Sequence, residues 1–168
     1  MIHIVLYEPE IPQNTGNIMR TCVATGSILH LIKPLGFKLD EQRIRRSGMD
    51  YIDELTYFVY ENFEDFVHQH PFDLFYITRY GKKSPYQISF KEVTGDIYLM
   101  FGKESTGIPK DLLRAHLDHC LRLPMVKTAR SLNLSNSVAI VIYEVLRQLA
   151  FPGLSDVEFL KGEDWLTQ

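Results

Sequence analysis

No stretch of this 168-residue chain is apolar for the ~20 residues that a membrane-spanning helix needs, and the amino terminus has neither the charged start nor the cleavage pattern of a secretory leader. Both absences lead us to expect a cytoplasmic protein without membrane contact. Cysteine is scarce. Cys22 and Cys120 stand far apart and lack metal-ligand spacing, so two reduced, buried thiols are expected. The pairs His68-x-His70 and His116-x-x-His119 have no accompanying cysteine or carboxylate set, so no metal is expected. Nucleotide-binding signatures are missing as well. No Gly-x-Gly-x-x-Gly follows a strand-like run, which disfavours a Rossmann dinucleotide site and the common Rossmann-like methyltransferases. Gly102-Lys103-Glu104-Ser105-Thr106-Gly107 has the outline of a phosphate loop but continues into Ile108-Pro109 instead of ending in Gly-Lys-Ser/Thr, which argues against ATP or GTP.

What is present is a 45% hydrophobic composition, enough for the core of one ordinary domain. The net charge of −3 resides in the tail, where Asp156, Glu158, Glu163 and Asp164 face Lys161 alone, so residues 1–155 are neutral overall. Within that body the cations are grouped as Arg43, Arg45 and Arg46, as Arg79, Lys82 and Lys83, and as Lys127 and Arg130. Local clusters decide whether a phosphate backbone is attracted, although a merely solvated basic face is the plain alternative.

Apolar runs alternate with helical patterns. Residues 2–7 form a buried strand that ends at Glu8-Pro9-Glu10-Ile11-Pro12. Asn14 or Thr15 can cap the next helix, with Ile18, Met19, Cys22 and Val23 on one face, Asn14, Asn17 and Arg20 on another, and Gly26 as its stop. Residues 27–32 give a second strand, 40–46 a short helix carrying Arg43 and Arg46, 54–60 a strand, 63–68 a helix and 73–78 a strand. Residues 79–87 form a loop, 97–101 a strand, 109–115 a helix opened by Pro109, and 121–123 a last short strand. Strand–helix–strand units make parallel sheets, so a single α/β domain of about five or six mostly parallel strands flanked by helices is expected over residues 1–153, with residues 154–168 as a peripheral acidic tail.

Residues 121–150 organise the rest. A helix begins near Asn133, capped by its side chain, and is apolar nearly all round. Val138, Ile142, Val145 and Leu149 make one face, while Ala139, Ile140, Val141 and Leu146 spread over much of the remainder. One side suits the chain's own sheet and the other a second copy of the chain. Three strand ends, after Tyr7, Phe101 and Leu123, lead into glycine, asparagine or serine, which is where α/β proteins bind ligands. The glycines at 102 and 107 are equally compatible with a tight turn.

Three segments carry a resemblance. Ile11-Pro12-Gln13-Asn14-Thr15-Gly16-Asn17-Ile18-Met19-Arg20, then Phe101-Gly102-Lys103-Glu104-Ser105-Thr106-Gly107-Ile108-Pro109, then Leu123-Pro124-Met125 with Arg130-Ser131-Leu132-Asn133-Leu134-Ser135-Asn136-Ser137-Val138-Ala139 resemble, in order, the three motifs of the SPOUT methyltransferase superfamily. The chain looks most like its minimal single-domain members, the TrmL/YibK-like tRNA wobble-nucleotide 2′-O-methyltransferases, over residues 1–153. The resemblance implies a carboxyl-terminal deep trefoil knot, a homodimer packed through the first and last helices, and S-adenosylmethionine held in the knot by Ile77, Thr78, Gly102, Glu104, Leu123, Met125 and Ser131. It implies Arg20 as the catalytic arginine, with Tyr143 and Asn133 as further site positions. Asn14, Arg43, Arg46, Arg79, Lys82, Lys83 and Arg130 are the expected RNA contacts. The expected reaction is methylation of the ribose 2′-oxygen of the wobble pyrimidine in tRNA. Methylation of another tRNA or ribosomal RNA position, a catalytically silent RNA-binding dimer and a flavodoxin-like small-molecule binder are the alternatives. The isoacceptors modified are not legible.

Overall fold

The computed structural model describes residues 1–39, 53–70, 73–162 and 164–167. The expected helix over residues 40–46, with Arg43, Arg45 and Arg46, lies outside them. Each continuous apolar run becomes a strand. β1 is Ile2–Tyr7, β2 Ile28–Ile32, β3 Tyr57–Tyr60, β4 Leu74–Ile77, β5 Ile97–Phe101 and β6 Cys120–Leu121. They form one sheet in the order β3-β2-β1-β5-β4-β6, and every neighbouring pair is parallel. A parallel sheet has helices on both faces, which is why its strands are apolar on both sides and do not alternate.

One face carries α1 (Pro12–Thr25) and the long α4 (Leu134–Gln148), whose Ile18, Met19, Cys22, Val138, Val141 and Ile142 pack on Ile4, Leu29 and Leu99. The other carries α2 (Phe63–Gln69) and α3 (Lys110–Ala115), whose Phe66 and Leu113 pack with Val5, Tyr76 and Met100. Both cysteines are free and buried.

Two expectations about the helices change. Asn14 and Thr15 do not cap α1, which starts at Pro12 after Ile11 with no side-chain cap; proline at the first turn lacks the amide that a cap would satisfy. Gly26 does end the helix, at φ 63°. Around α4, Val141 and Leu146 are buried within the protomer, so the outward apolar stripe narrows to Ile140 and Tyr143, 38% and 49% exposed. Gln148 holds the end of the expected loop and the residues just after it: its Oε1 accepts from Phe90 N at 2.9 Å, and its Nε2 donates to Pro85 O.

The carboxyl-terminal strand is gripped from two sides. Thr78 N donates to Leu121 O at 2.8 Å, while Arg122 N donates to Lys83 O at 2.8 Å. Between them, a Cβ on Gly81 would lie 2.6 Å from Leu121 C and 2.7 Å from Cys120 O, so only glycine lets the loop after β4 cross β6 this closely.

Candidate active site

β1 and β5 lie side by side, but the chain leaves β1 toward β2 and leaves β5 toward β6, on the opposite side. Loops diverging from adjacent strand ends open a crevice. A cleft of about 860 Å³ lies there, walled by residues that follow β1, β4, β5 and β6, within the ~300–1,000 Å³ range of small-molecule sites.

The loops are laced together by carboxylates. Glu104, after β5, accepts from Glu10 N at 2.9 Å and Ile11 N at 3.3 Å, and from Asn14 Nδ2 at 2.9 Å. In return Glu10 accepts from Ser105 N and Ser105 Oγ, both at 2.8 Å, and these bonds hold its carboxyl below the usual carboxylate range. Lys103 Nζ donates to Glu8 at 2.7 Å, an ion pair that raises the lysine's pKa. Asn14 Oδ1 then accepts from Asn133 Nδ2 at 2.9 Å, and Asn133 Oδ1 caps α4 by accepting from Ser135 N at 2.9 Å and Asn136 N at 3.3 Å. One chain of hydrogen bonds, Glu104 to Asn14 to Asn133, thus ties all three motif segments. The loop at residues 102–107 is also the tight turn that its glycines allow. Gly107 has φ 76°, its N–H donates to Lys103 O at 2.9 Å, and a Cβ on Gly102 would fall 2.2 Å from Gly107 C.

Ile77, Thr78, Gly102, Glu104, Leu123, Met125 and Ser131 all line the cleft, as do Asn14, Arg79, Arg130 and Asn133. Glu104 and Asn14 spend their polar atoms on the network rather than on open space. Lys82 and Lys83 line a smaller cleft of about 350 Å³ alongside. Arg20 and Tyr143 are exposed and line neither cleft of their own protomer. Arg43 and Arg46 lie outside the described residues. Sequence reasoning missed Arg122, which lines both clefts and donates from Nη1 to Arg79 O at 2.6 Å. Sequence patterning put Arg122 inside a strand over residues 121–123, whereas β6 ends at Leu121 and leaves Arg122 at the functional edge of the sheet. The Glu8, Glu10, Lys103 and Ser105 lacing was missed too, since ion pairs between loops 95 residues apart leave no local pattern. Among the described residues no group of three or more His, Cys, Asp or Glu is placed to hold a metal ion, and no helix is long and apolar enough to cross a membrane.

A parallel sheet with a ligand-sized cleft at its switch point, walled by the segments that follow four of its strands, defines an α/β ligand-binding protein. The chain belongs to the SpoU rRNA Methylase family, whose model matches residues 1–143. It is 48% identical over 155 residues, 92% of this chain and 99% of the relative, to a putative tRNA (cytidine(34)-2′-O)-methyltransferase of Geobacillus stearothermophilus. It is 45% identical over 155 residues, 91% of this chain and 97% of the relative, to the tRNA (cytidine(34)-2′-O)-methyltransferase of Escherichia coli strain K12. A solved structure concerned with the 2-OH methylation of C/U34 on tRNA superposes with a TM-score of 0.81 at 39% identity, covering 89% of this chain and 97% of that one.

Proposed function

We propose that this chain is a cytoplasmic tRNA methyltransferase that transfers the methyl group of S-adenosylmethionine to the ribose 2′-oxygen of the wobble pyrimidine, cytidine or uridine 34. The observation that carries the reading is the Glu104–Asn14–Asn133 network, which gathers three motif loops around one cleft in a chain 45% and 48% identical to enzymes named for this reaction.

The cleft suits the methyl donor by its donor set. Ile77, Phe101, Leu123 and Leu134 offer apolar walls for an adenine, and Thr78, Ser131 and the backbone of the 102–107 turn offer hydrogen bonds for ribose hydroxyls and an amino-acid head. When bound, S-adenosylmethionine supplies an electrophilic methyl on a sulfonium. The chain's own residues must hold the acceptor hydroxyl in line and stabilise the alkoxide as its proton leaves. Arg20 is suited to that stabilisation, because a guanidinium keeps its charge and donates in a fork, while acting poorly as a base.

Arg20 sits six residues beyond Asn14, about 9 Å along α1. α1 packs against α4, whose outer face shows Ile140 and Tyr143. A homodimer formed across these two helices covers that stripe and carries Arg20 and Tyr143 to the partner's cleft. The two-sided grip on residues 120–122 is our reading of where the carboxyl-terminal part is threaded as a trefoil knot.

The test is mass-spectrometric mapping of methylated nucleosides in tRNA incubated with pure protein and S-adenosylmethionine. We expect 2′-O-methylpyrimidine at nucleotide 34. Arg20→Ala should lower kcat by roughly 100-fold or more while calorimetry shows retained cofactor affinity. Methylation only elsewhere in tRNA, or only in ribosomal RNA, overturns the assigned position, and unaltered turnover in Arg20→Ala removes that residue from the site.

A further inference from the structure

Tyr80 is 71% exposed and stands at the edge of the large cleft, in a loop where no core contact accounts for an aromatic ring. The loop is nevertheless fixed. Its inner side is bonded to β6 and Arg122 at Thr78, Arg79 and Lys83, and Gly81 leaves no space between the two backbones. Its outer side chains, Arg79, Tyr80, Lys82 and Lys83, are therefore presented from a rigid backbone. The Arg79 guanidinium lies over the Tyr80 ring at 5.4 Å from the centroid, which orients it. The second cleft begins at the next residue, Gly81, and is lined by Lys82, Lys83 and Arg122, with no Asp or Glu among the described residues that line it.

An exposed ring followed by a cleft lined with three cations is an arrangement that suits single-stranded nucleic acid, the ring stacking a base and the cations holding the backbone. The methyl donor belongs to the larger cleft, whose apolar walls suit its adenine, whereas the smaller cleft offers only Pro124 as an apolar wall. We infer that Tyr80 is the stacking platform for one nucleobase of the RNA substrate, adjacent to the methylated nucleotide, and that Lys82, Lys83 and Arg122 hold the phosphodiester attached to it. This inference rests on the RNA methyltransferase reading and adds to it a subsite on this chain and the residues that form it.

The experiment uses an anticodon stem-loop RNA and a set of copies, each with one abasic nucleotide flanking the methylated position. Tyr80→Ala should weaken binding of the intact RNA about tenfold, within the ~5–150-fold range for removing one stacked base, while Tyr80→Phe stays near wild type. Cofactor affinity and the melting temperature should not move. At one abasic position wild type should fall to the affinity of Tyr80→Ala, and the mutation should then cost nothing further. Lys82→Ala with Lys83→Ala should flatten the salt dependence by about two charges. Unchanged RNA affinity in Tyr80→Ala, a loss equally large on every abasic RNA, or a loss of cofactor binding instead overturns the subsite alone. Wild-type protein that binds none of these RNAs overturns the methyltransferase reading together with it.

Discussion

Asn133 shows how much one side chain does here. Its Oδ1 accepts three bonds, from Ser135 N, Ser135 Oγ and Asn136 N, and its Nδ2 donates to Asn14. Two substitutions separate these duties. Asn133→Ala loses both, and should cost about 1 kcal/mol of stability for the lost cap as well as activity. Asn133→Asp keeps an oxygen for the cap but sets a carboxylate against Asn14 Oδ1. If Asn14 turns its amide to meet it, Glu104 loses one of its three donors and faces the Asn14 oxygen instead. Thermal unfolding close to wild type combined with a kcat/KM at least tenfold lower is the expected result for Asn133→Asp, and full activity would show that the network does not position the site. The cap was legible in the sequence because capping is local. Asn14 was legible as a motif residue and an expected RNA contact, but its assignment as a cap was wrong, because its actual partners lie 90 and 119 residues away.

At the scale of elements, the continuous runs at β1, β4 and β5 and the apolar α4 could be placed within a residue or two, since a strand buried on both faces has no alternation to confuse. The order of the strands could not be read that way. It depends on which apolar edges pair, and composition hardly distinguishes them. The passage of residues 120–122 between β4 and its following loop is likewise set by a glycine whose meaning appears only in three dimensions. α4 carries a prediction of its own. Ile140 and Tyr143 lie three residues apart on one outward stripe, next to α1. Ile140→Asp leaves the buried face of Val138, Val141, Ile142 and Val145 untouched, so the protomer should stay folded. Multi-angle light scattering should find wild type as a dimer and Ile140→Asp shifted toward monomer, with activity lost in parallel if the partner supplies Arg20. A variant that remains dimeric would place the interface elsewhere.

The molecule as a whole has two unlike cores, and the histidines packed into the second should set its response to acid. Between the sheet and α2, His3 Nδ1 meets His30 Nε2 at 2.8 Å, His30 Nδ1 meets Tyr60 Oη at 2.8 Å, and Tyr60 Oη meets His70 Nε2 at 2.8 Å, with His70 Nδ1 3.2 Å from Tyr98 Oη. Asp96 faces His3 at 3.4 Å and is bonded to the terminal amine, and the charge of Asp65 acts on Tyr60. Burial lowers all three histidines, His30 to about 3, with its two neighbours' charges adding to the effect; Asp96 opposes the shift at His3. A histidine that stays neutral when folded but takes a proton at its ordinary value of 6.5 when unfolded makes folding bind fewer protons. Stability is then fully present above pH 6.5 and falls as the pH drops toward the folded value. For His30 the loss is about 1.4 kcal/mol per pH unit, or about 2 kcal/mol by pH 5. That corresponds to roughly 4–8 °C in a domain of this size. The window from pH 6.5 to 5 isolates the histidines, because Asp96, with its own pKa lowered, keeps its charge there and gives up its contribution only in stronger acid. Urea unfolding across this window should therefore show stability falling with acid in wild type. The slope should be shallower by nearly one proton in His30→Gln, whatever that variant's stability at pH 7. An unchanged slope would mean that His30 is already protonated in the folded chain, and that the bonds joining β1, β2, β3 and β5 run in the opposite sense.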